Sequence, residues 1–269
     1  MRNGAFVLRQ AGETAYYSCR ALEELPNLCH GFSTRRGGTP DAAGSSLNLG
    51  YVSWDPPERV DANRRRFLRA LRLMEAHLAV LRQVHSNRVH IIKDRPAEWN
   101  PPEGDALICR LPGIALAVQV ADCLPVLIAD PATRAIAAVH AGWRGTLARV
   151  LREAVREMQR TFGADPSNLL VAVGPGIRAC CCEVGPEVAE LFEKEFPGCR
   201  LSRPAAAPGK YLLDLGGALE RDLDDSGVAP QHRHDLGLCT RCNPQEFFSY
   251  RAEGERSGRM MAVIGRLSP

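Results

Sequence analysis

Apolar positions recur along the chain at two periods, and their alternation sets out an order of helices and strands. From Asp55 to Leu78, after an Asp-Pro-Pro start, Val60, Phe67, Leu68, Leu71, Met74 and Leu78 fall on one face at helical spacing. AVLRQVHS and RVHIIKD read as short strands joined near Ser86 and Asn87, with His85 at the end of the first. IALAVQVAD, LPVLIAD and AIAAVHA are apolar runs of strand length with β-branched residues, as buried strands have. Helical spacing returns at Leu147, Val150, Leu151, Ala154, Val155, Met158 and Phe162, predicting one amphipathic helix over 146–162 capped by Gly145 or Thr146. LLVAVGPGI suggests a strand leaving through a Gly-Pro-Gly turn. PEVAELFEKEF and LLDLGGALERDLDDSG suggest helices, the second ending at Gly227, and EFFSYR and RMMAVIGRL suggest a hairpin across AEGERSG. Strands and helices mix without βαβ alternation, and neither a linker nor an internal repeat interrupts them. The expectation is a mixed-sheet α+β architecture, and the length fits one large domain or two compact ones, with no linker to cut the chain.

Composition narrows the function classes. Of 269 residues, 45% are apolar and 24% charged, and the formal charge is +3 with no basic block, so nucleic acid is not an expected partner. The start MRNGAFVLRQ has no apolar core of signal-peptide length. The apolar region near 114–129 is interrupted by Gln119, Asp122 and Pro125, so no membrane span is expected and the protein reads as cytoplasmic. The chain has ten cysteines, which in a reducing compartment point to thiols, metal ligands or catalytic groups before disulfides. Cys180, Cys181 and Cys182 are consecutive, and Cys239 and Cys242 form one CxxC, half of a structural zinc site that His232 and His234 could complete. Small buried thiols are the plainer account of these five.

The turn DPATR joins two of the strands. A hairpin centred between Pro131 and Ala132 places Cys123 opposite His140, with Cβ atoms roughly 4.5–5.5 Å apart, unless Pro125 bulges the strand and shifts the register. His85, at a strand end in QVHSN, is the best-placed third ligand. A His2Cys set leaves one tetrahedral position for water or substrate, which favours a catalytic Zn2+; Cu2+ accepts the same donors. Two other readings stand beside this one: three unrelated half-buried side chains, or Cys123 as a nucleophile with His140 as its base. In AVHAGWRGT the strand end carries His140 and turns into a helix whose N-terminus, with Arg144, suits an anion such as phosphate. Arg144 also fits a capping or surface role. FSTRRGG, with Arg35 and Arg36 before two glycines, is a second candidate anion loop.

Taken together, FSTRRGG, LNLG, ANRRRF, QVHSNRV, GDALI, ADCLPVLIAD, AVHAGWRGT, GPGIRACCCEVGPEV, YLLDL, LCT and FFSYR resemble the YfiH-type (FAMIN-type, laccase-domain) family in content and order, from about residue 30 to the C-terminus. Members carry the names polyphenol oxidase, peptidoglycan editing factor and purine nucleoside phosphorylase. The resemblance implies a single CNF1/YfiH-like α+β domain over residues 1–269, of mixed β-sheets flanked by helices, and a zinc ion on His85, Cys123 and His140. It also implies phosphorolysis of adenosine, inosine, guanosine and 5'-methylthioadenosine, with deamination of adenosine. The partners implied are purine nucleosides and phosphate, in a monomer or small homo-oligomer. On this reading Arg144 and Arg35 position phosphate, while Asp122 and Asp105 serve as acid, base or substrate contact, or simply orient a histidine. The sequence departs from the family at Cys182, commonly tyrosine, and at Ala252, often arginine, which bears on substrate contacts. Copper-dependent phenol oxidation and a Cys123 hydrolase acting on peptidoglycan precursors are the competing enzymatic readings; a non-catalytic binding module would leave an open metal position without a purpose.

Overall fold

The computed structural model describes residues 4–41 and 44–267. Two six-stranded sheets form its centre. The first runs, edge to edge, through Phe6–Ala11, Thr14–Cys19, Leu28–Ser33, Met260–Arg266, Ile114–Val120 and His77–Ala79. The second runs through Arg233–Asp235, Leu170–Val173, Leu124–Ala129, Ile136–Ala141, Ala106–Cys109 and Val89–Ile92. Most neighbours are antiparallel, but His77–Ala79, Val89–Ile92 and Arg233–Asp235 each join in parallel, so both sheets are mixed and the fold is α+β.

The sheets pack face to face. Leu107, Leu127, Ile136 and Ala138 of the second share one apolar cluster with Phe32, Leu116, Val118 and Ile264 of the first. Their alternate neighbours face outward: Val126, Ile128, Ala137 and Val139 meet Leu151, Val155 and Met158 of the helix Val150–Phe162 and Leu219 of the helix Leu215–Asp225. On the far side, Ala115, Ala117 and Val263 meet Phe67, Leu68 and Leu71 around the helix Pro57–Ala70. Four layers result, and central strands buried on both faces appear in the sequence as unbroken apolar runs.

Several predicted elements change. The helix expected over Asp55–Leu78 ends at Ala70, Arg72 turns with φ +61°, and Leu78 belongs to a strand. The segments AVLRQVHS and RVHIIKD do not pair: their strands lie in different sheets, and the first is only His77–Ala79. The helix expected over 146–162 is two, Trp143–Leu147 and Val150–Phe162, with Gly142 before the first and Arg149 in a left-handed conformation before the second. No hairpin crosses AEGERSG. EFFSYR leads into the short helix Tyr250–Glu253, and Met260–Arg266 pairs with strands far away in sequence.

Candidate functional site

Three segments bring three candidate ligands to one point. His140 comes from the strand Ile136–Ala141, Cys123 from the turn just before Leu124–Ala129, and His85 from the segment before Val89–Ile92. Their donor atoms lie within 4.8 Å of one another; Cys123 Sγ is 3.9 Å from His85 Nε2, and the imidazoles meet edge to face with centroids 5.0 Å apart.

The hairpin register differs from the expected one. His140 pairs with Pro125 and Ala141 with Leu124, so Cys123 sits beyond the paired residues, on the side of Gly142. Because the slip preserves the face, Cys123 and His140 remain diagonal neighbours on one side of the ladder. Gly142 provides the room: a Cβ there would lie 2.8 Å from His85 Cδ2 and 2.9 Å from Cys123 Sγ.

Two carboxylates hold this arrangement. Asp105 is fully buried and accepts from His140 Nδ1 at 2.8 Å, from the backbone N–H of His85 at 3.0 Å and of Ser86 at 2.6 Å, and from the Ser86 hydroxyl at 2.7 Å. It thereby directs the Nε2 edge of His140 toward Cys123 and fixes His85 in a left-handed conformation, φ +59°. Asp122, at φ +91°, accepts from the Thr240 hydroxyl at 2.6 Å and from the Arg251 backbone N–H at 2.7 Å. Left-handed conformations at non-glycine residues cost energy and persist where surrounding bonds over-determine them, a common condition at functional sites.

The electrostatics suit a cation. Burial raises the Asp105 carboxyl, but bonds from His140 and Ser86 outweigh it and bring it down to about 2. Burial also disfavours charge at Cys123 and His140, yet each stabilises the other: the thiol falls below its usual range and the imidazole rises above its own. A thiolate beside two imidazoles, one anchored by a carboxylate, is the donor chemistry of an open zinc site and fits a divalent ion.

The triad faces a cavity of about 590 Å³, within the range of small-molecule sites. Trp143, Tyr51 and Tyr250 line it together with Gln119, Arg251, Arg259, Asp122 and Cys182. Tyr51 and Tyr250 are exposed, at 57% and 50%. The two arginines expected to meet phosphate lie outside this cavity. Arg144 is exposed, stacked 4.3 Å over the Trp143 ring, and is not among the lining residues. Arg35 borders a different cavity, paired with Glu253 at 2.7 Å and lying 4.5 Å over Phe248. Asp105 is sealed behind His140 and does not line the cavity, which matches the histidine-orienting reading of this residue and not substrate contact. His232 bonds to the Ser167 carbonyl, and neither it nor His234 joins Cys239 and Cys242. Sequence reasoning passed over Arg251, Arg259 and the aromatic rim, although FFSYR carries two of these residues. Its aromatic density suggested a strand.

Residues 29–267 match the family model described as multi-copper polyphenol oxidoreductase laccase. The chain is 40% identical over 247 residues to a protein of Deinococcus radiodurans named purine nucleoside phosphorylase, spanning 91% of this chain and 92% of that one. It is 37% identical over 245 residues to adenosine deaminase RL5 of an unknown prokaryotic organism, spanning 87% of this chain and 93% of that one. The crystal structure of YlmD from Geobacillus stearothermophilus superposes with a TM-score of 0.88 at 30% identity, covering 98% of this chain and all of the other.

Proposed function

Because the chain belongs to the laccase-like family in which relatives carry the names purine nucleoside phosphorylase and adenosine deaminase, we propose that it is a zinc-dependent purine nucleoside phosphorylase with adenosine deaminase activity. Its substrates on this reading are adenosine, inosine, guanosine and 5'-methylthioadenosine. The observation that carries the proposal is the open His85, Cys123 and His140 triad facing a cavity with aromatic, amide and guanidinium groups. An ion held there supplies Lewis acidity to whatever occupies the cavity.

The chain's own groups supply binding and orientation. Trp143, Tyr51 and Tyr250 present flat faces for a purine, and Gln119 offers an amide to its polar edge. Arg251 and Arg259 take the phosphate role that the sequence suggested for Arg144 and Arg35. In phosphorolysis a phosphate oxygen bonds to the anomeric carbon as the bond to the purine nitrogen breaks. Positive charge grows on the sugar, which the bound phosphate and the neighbouring Asp122 carboxylate stabilise. In deamination water adds to the carbon bearing the amino group and ammonia leaves, with protons carried by a group such as Asp122. No described helix is long and apolar enough to cross a membrane, and a cytoplasmic site of action suits both free phosphate and reduced thiols.

The family description also names laccase chemistry. Multi-copper oxidation needs several coppers and many histidines, and among the described residues only two of the chain's seven histidines belong to a candidate metal cluster. The thiolate, His140 and Asp105 series keeps one further reading in view, with Cys123 as nucleophile. The test is product analysis after incubation with adenosine, with and without phosphate. Adenine and ribose 1-phosphate should form only with phosphate, inosine and ammonia without it, and Cys123→Ala should lose the zinc of the triad, one ion per chain, and both activities together. Activity lost with the zinc content per chain unchanged would favour the nucleophile; phenol oxidation tracking copper would replace the proposal.

A further inference from the structure

Four sulfur atoms meet at a second point. Cys180 and Cys181, at the start of the CCC run, lie beside Cys239 and Cys242, and all four Sγ atoms are within 4.8 Å of one another. Cys180 and Cys181 stand 3.6 Å and 3.4 Å from Cys242, and all four are free thiols. A tetrahedral zinc ion with Zn–S bonds of about 2.3 Å sets its sulfurs about 3.8 Å apart, whereas a disulfide needs about 2.05 Å. The observed spacing is that of the first. Cys239 is buried and Cys181 half-buried, but Cys180 and Cys242 are exposed, so apolar burial does not account for their convergence.

The backbone prepares the cluster. Gly176 and Cys239 form a parallel bridge, Thr240 N donates to Gly176 O at 3.1 Å, and the Asn243 side chain holds the Cys239 carbonyl at 2.8 Å. Arg178 clasps Asp235 through two bonds of 2.7 Å, fixing the base of the same loop pair. The two loops also build a wall of the cavity. Ile177 and Cys182 line it, and Thr240 holds Asp122 beside Cys123.

We propose that Cys180, Cys181, Cys239 and Cys242 bind a second, structural zinc ion with a closed four-thiolate shell that pins these loops together. The sequence concealed the site because its halves differ in form, a CxxC and a vicinal pair nearly sixty residues upstream. The inference is independent of the reaction assigned to the first site.

Zinc per chain, measured by mass spectrometry of metals on protein purified from zinc-supplemented culture without chelators, should be two. Cys123→Ala and Cys242→Ser should each retain one and their combination none. Cobalt loaded into Cys123→Ala should give an intense thiolate-to-metal charge-transfer band and strong visible absorption typical of four tetrahedral sulfurs. That reading leaves the second cluster intact, so it stands even if Cys242→Ser folds poorly. One zinc in the unaltered protein with no change on Cys242→Ser, a cobalt spectrum lacking the four-sulfur signature, or a disulfide among these cysteines in freshly purified protein would each overturn the proposal.

Discussion

Gly142 is where the ligand geometry is most sensitive to one atom. Its backbone, φ −76° and ψ 169°, is open to any residue, so the absence of a side chain is a matter of space alone. Gly142→Ala places a methyl in the volume of the His85 ring and Cys123 sulfur. Such overpacking costs about 1–3 kcal/mol, and the easiest relief is to push the two ligands apart. Chelator competition should therefore show zinc affinity at the triad falling roughly tenfold or more, with the urea midpoint of the metal-free protein nearly unchanged. An equal loss in both measurements would mean that the methyl disturbs the fold and not the ligands. At this scale the sequence named the three side chains that converge, and offered Asp105 as one that orients a histidine, but not the other bonds that hold them. His85, Cys123 and His140 were legible because strand ends and donor chemistry are local properties. The bonds from His85 and Ser86 to Asp105, and from Thr240 and Arg251 to Asp122, join segments about 20 to 130 residues apart, which no local pattern encodes.

Arg149 separates two helices that the apolar period merges. Leu147, Val150 and Leu151 keep the spacing because both helices cover the same outer face of the second sheet, so periodicity alone cannot reveal the break. At φ +63° Arg149 turns the chain, and its guanidinium bonds Asp222 at 2.7 Å, Glu195 at 2.8 Å and Asp225 at 3.2 Å while lying 3.8 Å over the Phe196 ring. Asp222 is fully buried. Arg149→Ala strands that carboxylate and should cost about 3–5 kcal/mol, read as a drop in the urea midpoint. Arg149→Gly loses the same bonds but accepts the left-handed backbone, so it should be about 1 kcal/mol less destabilising. If the two variants unfold together, the backbone contributes nothing to the break. EFFSYR failed for a related reason: Phe247 and Phe248 are buried against Val120 and Met260 without strand pairing, and the Ser249 hydroxyl starts a helix by accepting from Ala252 N at 3.3 Å.

Across the whole molecule, the layered core was readable as a set of buried strands but not as two sheets. Met260–Arg266 inserts between Leu28–Ser33 and Ile114–Val120, a pairing that only the folded chain defines. One buried group in that sheet makes global stability depend on pH. His30 is 5% exposed, and its Nε2 accepts the Cys19 backbone N–H at 2.8 Å, which requires an unprotonated nitrogen. Burial lowers its pKa to about 4 against the partial compensation of Glu23. An unfolded histidine titrates near 6.5, so between about pH 6.5 and 4 the unfolded chain takes up a proton that the folded one refuses. Stability must fall with pH across that window, by roughly 3 kcal/mol at most. Other titrating groups act in the same acidic range, so the unaltered protein alone would mix their effects with that of His30. The difference between it and His30→Gln isolates the buried imidazole, since every other titrating group is common to both and glutamine can still accept from Cys19. With both proteins stripped of metal, the advantage of histidine over glutamine measured by urea unfolding should shrink steadily from pH 7 to pH 4. A constant difference would mean that His30 takes up its proton in the fold at the same pH as in the unfolded chain, with the Cys19 N–H satisfied by another acceptor.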